Sequence, residues 1–367
     1  MIPPLSGTTM RRLRPPRNDS HDRHGQMTQG ESRSASPGTH DLRGYTATHD
    51  FHDEVDLLAT GAGSRACREV VGSSVDGADI VAVWVAAPGR VPDLARPQAF
   101  VVGGMHGVEV ISTELALHLL GQATVPGSLL PEVAAVLEVC DVTFVPALNI
   151  DGRRRSIESL SRSRSLFRSA PRVNTHGVDL NRNWPTPVGS DPTRHPLAGT
   201  NLRFLPWYRG PQPLSEPETK ALQHLAERRP PRMLLNLHCN GELLVYPWSS
   251  RRSPTPDRDR FEAMATAFQT TPGGAKYQRR QSSSWYPIAG SSNDYFYDQY
   301  GTLAMTVELA LPAETVKRRW SSGTRMFWWV NPDNPSDHVR RTAPGCWAAI
   351  RSGVDSPSRR QAATLAR

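Results

Sequence analysis

Lysine is almost missing from this chain of 367 residues. Lys220, Lys276 and Lys317 are its only lysines, so the formal net charge of +8 rests on arginine. No helix-turn-helix, zinc-finger or RNA-binding signature accompanies the arginines. They read as the codon preference of a GC-rich genome, and no nucleic-acid partner is expected. Cysteine is also scarce: Cys67, Cys140, Cys239 and Cys346 lie far apart with no CxxC pair. That spacing indicates neither a disulfide framework nor a cysteine metal site. No apolar run approaches the roughly 20 residues a membrane span needs. The first residues, Met1 to Pro16, lack the apolar stretch of an export signal, and none follows the Arg11-Arg12 pair. The expectation is a cytoplasmic protein, with secretion left open if the start codon is misplaced. A monomer is assumed.

Residues 1–46 are rich in Arg, Ser, Pro, Gly and His and poor in large apolar side chains. Such a segment buries too little apolar surface to offset its ordering entropy, and is expected to be disordered. A tail at 353–367 looks similar. Between them, residues 47–352 alternate strand and helix signals. Ile80–Ala86, Ala99–Gly103, Val142–Val145, Met233–Leu237 and Leu303–Leu309 are short runs rich in Val, Leu and Phe. Val110–Leu120, Ser215–Arg228, Phe261–Phe268 and His338–Arg351 read as helices, the second with Ser215 as its cap. This alternation predicts one α/β domain whose sheet is covered on both faces. Ligands in such sheets sit at the C-terminal ends of strands.

The chemistry-bearing residues fall at such ends. His106 and Glu109 form H-G-V-E just after A-F-V-V-G-G-M. Residues three apart share one side of a helical turn, so both can reach one metal ion. Two glycines before His106 let the backbone turn sharply. With 12 histidines in the chain, about one such match arises by chance, and the ordinary reading is a surface histidine. His238 ends the apolar run M-L-L-N-L, where a histidine is ordinarily a hydrogen-bonded core residue. Glu308 stands in T-V-E-L. A carboxylate among apolar neighbours is costly unless it has a partner or a task. Two imidazoles, one carboxylate and an open position make a catalytic zinc site.

The ordered set of motifs from about Thr46 to Pro312 resembles the zinc carboxypeptidases of the carboxypeptidase A type. The set is H-G-V-E at 106–109, N-I-D-G at 149–152, G-V-D-L-N-R-N-W at 177–184, S-E-P-E-T at 215–219, N-L-H at 236–238, Y-P-I-A-G-S-S-N-D at 286–294 and T-V-E-L at 306–309. The resemblance implies a mixed, mainly parallel central sheet with helices on both faces. It implies one Zn2+ per chain, held by His106, Glu109 and His238. It implies hydrolysis of the C-terminal peptide bond of peptides by a zinc-activated water, with Glu308 as general base. Arg168, in S-L-F-R, would face the scissile carbonyl, with a register ambiguity among Arg162, Arg164, Arg168 and Arg172. Asn181 and Arg182 would grip the substrate's free C-terminal carboxylate, Arg182 by its planar fork. Tyr286 would close over that end. Asn293 would line the base of the side-chain pocket, where an uncharged amide argues against strict selection of basic side chains.

The alternative on the same scaffold is a peptidoglycan-directed peptidase or an amidohydrolase of N-acyl amino acids. Retention of Asn181, Arg182 and Tyr286 favours the carboxypeptidase. A binding module that has lost catalysis would lack a ligand or the base, and none is lacking.

Overall fold

The structure, a computed structural model, describes residues 42–125, 127, 129–162, 171–190, 195, 197–310 and 326–365. Most of the basic segment expected to be disordered, 1–41, lies outside them. Its last residues do not behave as a disordered end. Tyr45 is buried, and its hydroxyl donates to the Pro332 carbonyl at 2.8 Å.

Eight strands form one sheet. They are β1 (Ala66–Ser73), β2 (Asp79–Val85), β3 (Gln98–Val102), β4 (Asp141–Val145), β5 (Met233–Cys239), β6 (Leu243–Tyr246), β7 (Gln278–Gln281) and β8 (Leu303–Leu309). Their order is β1-β2-β4-β3-β5-β8-β6-β7. The central ribbon β4-β3-β5-β8 is parallel throughout, and β7 joins β6 parallel. Antiparallel pairs attach β1 to β2, β2 to β4 and β6 to β8. The sheet is therefore mixed and mainly parallel, as expected.

Its inner strands β2, β3, β4, β5 and β8 read as largely apolar runs because both faces are buried. Side chains alternate with the pleat. Val81, Val83, Val101, Leu235, Leu237, Met305 and Val307 enter one core, while Ile80, Ala82, Phe100, Val102, Leu234 and Ala304 enter the other. The first core is roofed by α2 (Val110–Thr124), α3 (Pro131–Val139) and α6 (Arg258–Gln269), together with α1 (Phe51–Gly61) and the long helix Pro335–Asp355. The second is roofed by α5 (Pro217–Arg228) and α8 (Ser292–Tyr300). α4 (Ile150–Arg162) and the single turn α7 (Ser282–Trp285) complete the helices near the site.

Two local expectations need correction. Ser215 does not cap α5. Pro217 takes the first helical position, where its missing N–H costs nothing, and that makes Glu216 the cap residue. The Ser215 hydroxyl instead accepts from Asn183 Nδ2 at 2.9 Å. The tail expected to be disordered is ordered over most of its length. The helix Pro335–Asp355 runs into it, and Arg359–Leu365 forms a further helix. Polar contacts hold it. The Arg359 N–H donates to Asp257 at 2.9 Å, and Gln361 Nε2 donates to the Pro231 and Arg232 carbonyls at 3.3 and 3.4 Å. Composition alone does not reveal such long-range partners. Among the described residues no helix is long and apolar enough to cross a membrane.

Candidate metal centre

The centre is built where three neighbouring parallel strands end. β3 stops at Val102 and the chain turns through Gly103 and Gly104 into His106. Gly104 has φ +62°, and a Cβ there would lie 2.8 Å from Thr113 Oγ1. A Cβ on Gly107 would stand 2.4 Å from the Gly152 carbonyl carbon. H-G-V-E thus rests directly on N-I-D-G, backbone against backbone. Glu109 then begins α2 as its cap residue. His238 is the second-last residue of β5, and its register partner across the ladder is Glu308 on β8.

His106, Glu109 and His238 meet there, all but fully buried. His106 Nδ1 is 2.8 Å from Glu109 Oε1, His238 Nδ1 is 2.9 Å from Glu109 Oε2, and the two Nδ1 atoms are 3.1 Å apart. One ligand atom from each lies within 4.8 Å of the others. Two imidazole nitrogens and a carboxylate facing one point fit a divalent cation with a preference for nitrogen and oxygen donors, as zinc has. His106 Nε2 lies 3.1 Å from Asp179 Oδ1. A proton held there leaves Nδ1 with its lone pair toward the centre.

Electrostatics separates the two glutamates. Burial pushes the Glu109 carboxyl up, but the facing His106 and His238 outweigh it and hold it well below the carboxylate range. Burial also pushes Glu308 up. His238 and Arg172 offset this in part and Glu109 adds to it, leaving Glu308 at about 7 from an ordinary 4.5. One carboxyl is fixed as an anion, while the other is poised to gain and lose a proton near neutrality.

Arg168 lies outside the described residues. The guanidinium found at the centre is that of Arg172, four positions on. Its Nε donates to Asp179 Oδ2 at 3.0 Å and its Nη1 to Glu109 Oε1 at 3.2 Å. Its carbonyl accepts from the Gly107 N–H at 3.1 Å, which ties its loop to H-G-V-E. Asp179, given no role from sequence, links three groups. Besides His106 and Arg172, it caps the Asn181 N–H at 2.9 Å. Burial would raise its carboxyl, but Arg172, Arg182 and His106 hold it well below the ordinary value. Its place inside G-V-D-L-N-R, seven residues after Arg172, was the available signal.

A cavity of about 200 Å³ opens on the centre, with Arg172, Asn181, Tyr286, Asn293 and Glu308 in its wall. Asn181 Oδ1 accepts from the Ser292 N–H and hydroxyl at 3.0 and 3.1 Å. Tyr286 packs edge-on against Trp285, with ring centroids 4.8 Å apart. Asn293 accepts from Asn236 Nδ2 at 2.6 Å and donates to Thr306 Oγ1 at 3.0 Å, so the floor is an uncharged amide network. Arg182 departs from expectation and does not line the cavity. Its side chain is buried, and its guanidinium donates to the Leu197 carbonyl at 3.1 and 3.3 Å and to the Asn181 carbonyl at 2.9 Å.

Chicken (Gallus gallus) carboxypeptidase Z is 27% identical over 294 residues, covering 71% of this chain and 44% of that protein. The chain thus spans less than half of that relative. Mouse (Mus musculus) carboxypeptidase A1 is 23% identical over 339 residues, covering 90% of this chain and 74% of its own. The crystal structure of carboxypeptidase A from Helicoverpa armigera superposes with a TM-score of 0.65 at 18% identity, covering 88% of this chain and 77% of that one. At that identity the likeness speaks for the fold. The family model described as zinc carboxypeptidase matches residues 52–324, a span that runs from α1 past Glu308 and takes in the whole cavity wall. By that match the chain belongs to the zinc carboxypeptidase family of hydrolases.

Proposed function

We propose that the chain hydrolyses the C-terminal peptide bond of peptides, with one Zn2+ held by His106 Nδ1, Glu109 and His238 Nδ1. What supports this most is the convergence of donors up to 132 residues apart in sequence, with Glu308 directly across the ladder from His238. Bound there, zinc supplies Lewis acidity toward a carbonyl oxygen and toward water. Glu308 takes the proton from the attacking water and returns it to the departing amine nitrogen. Burial raises this carboxyl in the metal-free protein, and the same group must accept and then give. Arg172 takes the place assigned to Arg168. It donates to the carbonyl oxygen as negative charge builds on it, already aligned by Asp179 and Glu109.

Recognition of the free C-terminus falls to Asn181 and Tyr286, which line the cavity. Arg182 joins them only after giving up its bonds to the Leu197 and Asn181 carbonyls. Asn293 and Thr306 form a neutral floor, which suits an uncharged terminal side chain.

Blocked dipeptides with free and with amidated C-termini test the reading on the zinc-loaded protein. Free acids are expected to be cleaved at least about a hundredfold faster, the cost of leaving a charged recognition group unpaired. Equal rates would remove the exopeptidase assignment.

A further inference from the structure

Four arginines line a second cavity, of about 310 Å³, at the opposite end of the sheet. They are Arg96, Arg228, Arg229 and Arg232, joined by Gln98 and Gln361. Gln98 opens β3 and Arg232 precedes β5. His238 is six strand positions beyond Arg232, about 20 Å at the rise of a strand. Nothing in the chemistry of the metal centre uses this cavity.

The charges there do not cancel. Arg96 is paired with Asp141, Nε to Oδ1 at 2.8 Å. Arg229 is paired with Glu69 at 2.8 Å and lies over the Trp84 ring at 3.9 Å. Glu69 is thereby spent, and it reaches Arg228 only at 3.5 Å. Otherwise Arg228 has a long bond to the His224 carbonyl at 3.4 Å, and Arg232 has one to the Val354 carbonyl, also at 3.4 Å. No aspartate or glutamate lines the cavity among the described residues. Arg232 therefore faces it without a carboxylate, and Arg228 has only a share of Glu69, which is bonded more closely to Arg229. A concave wall of one sign concentrates the potential in front of it. A guanidinium fork matches two oxygens of one oxyanion.

The geometry points to a binding site here for a small dianionic oxyanion, phosphate or a dicarboxylate, held by Arg228 and Arg232 between the pairs Arg96–Asp141 and Arg229–Glu69. Gln361 carries the tail helix to the same wall through its bonds to the Pro231 and Arg232 carbonyls. An occupied site therefore also braces the C-terminal helix.

Isothermal titration of the full-length, zinc-loaded protein tests this, with inorganic phosphate in one arm and succinate in the other. Ionic strength is held constant with chloride. At least one arm should give saturable binding of one anion per chain, and the stronger arm names the source. Arg228→Gln and Arg232→Gln should each weaken it about tenfold or more, the loss of a charge-assisted hydrogen bond. Peptide cleavage should be unchanged in both variants. Arg228 is exposed, so its variant does not threaten the fold. Retained affinity in Arg228→Gln would place the anion elsewhere, the metal centre included, and overturn the site. So would failure of both arms to saturate.

Discussion

Arg172 and Arg168 are four positions apart in a basic stretch, and local sequence does not choose between them. Any guanidinium in R-S-L-F-R-S-A-P-R satisfies the chemistry of facing a carbonyl. What favours Arg172 is the pair of carboxylates, Glu109 and Asp179, that it meets, and the local stretch does not supply them. Arg172→Ala is expected to lower kcat by about 10²–10³, the usual loss of one preorganised oxyanion donor. Arg168→Ala should leave kcat within about threefold on the same scale. Steady-state kinetics of the two variants settles the register, and the opposite ranking would restore Arg168. Glu308 makes a second case. Glu308→Gln should remove at least about 10² of turnover and keep the metal, read by activity and by metal content together. In the metal-free protein its raised carboxyl also acts on stability. The unfolded chain ionises near 4.5 and the folded one near 7. The folded state therefore gains most below pH 4.5 and loses that advantage as pH rises toward 7. Urea midpoints of the metal-free protein should fall across that window, and Glu308→Gln should flatten the fall.

Strands buried on both faces were legible because their apolar runs are continuous: β2, β3, β4, β5 and β8 all carry that signature. The edges were not. β7 is Q-R-R-Q, polar at every position, and β1 mixes Arg68 and Glu69 with valines. Edge strands need only backbone pairing on one side, so their side chains answer to solvent. The turn at H-G-V-E shows the complementary case, where the sequence was explicit but its reason was hidden. Gly107 is present because Gly152 leaves no room for a side chain. Gly107→Ala should destabilise the protein by about 1–3 kcal/mol, the usual cost of overpacking. It should also displace His106, giving a lower denaturation midpoint together with weaker metal affinity. A variant as stable and as tightly metallated as the parent would show that the contact relaxes freely.

For the whole molecule, the metal is expected to act as a cross-link between α2 and the central strands. His106, Glu109 and His238 come from segments that only the fold brings together, so the unfolded chain offers no such site. Free zinc at about 1,000 times its dissociation constant should add about 4 kcal/mol by mass action. Chelation should lower the melting temperature, zinc should restore it, and His238→Ala protein should respond to neither. A melting temperature indifferent to chelator would mean that the three side chains do not share an ion. The ordered motifs made the family visible from sequence. The fate of Arg182 was invisible, because the Leu197 carbonyl that takes two of its bonds belongs to a stretch whose position no motif encodes.

Glu308 and His238 sit opposite each other in one hydrogen-bonded ladder. The proposed proton carrier and the proposed anchor of the metal are thus geared to a common shaft. A loop may lengthen or change partners around them, but it cannot slide one past the other without breaking every rung between β5 and β8. Chemistry mounted this way keeps its spacing while the loops around the cavity change.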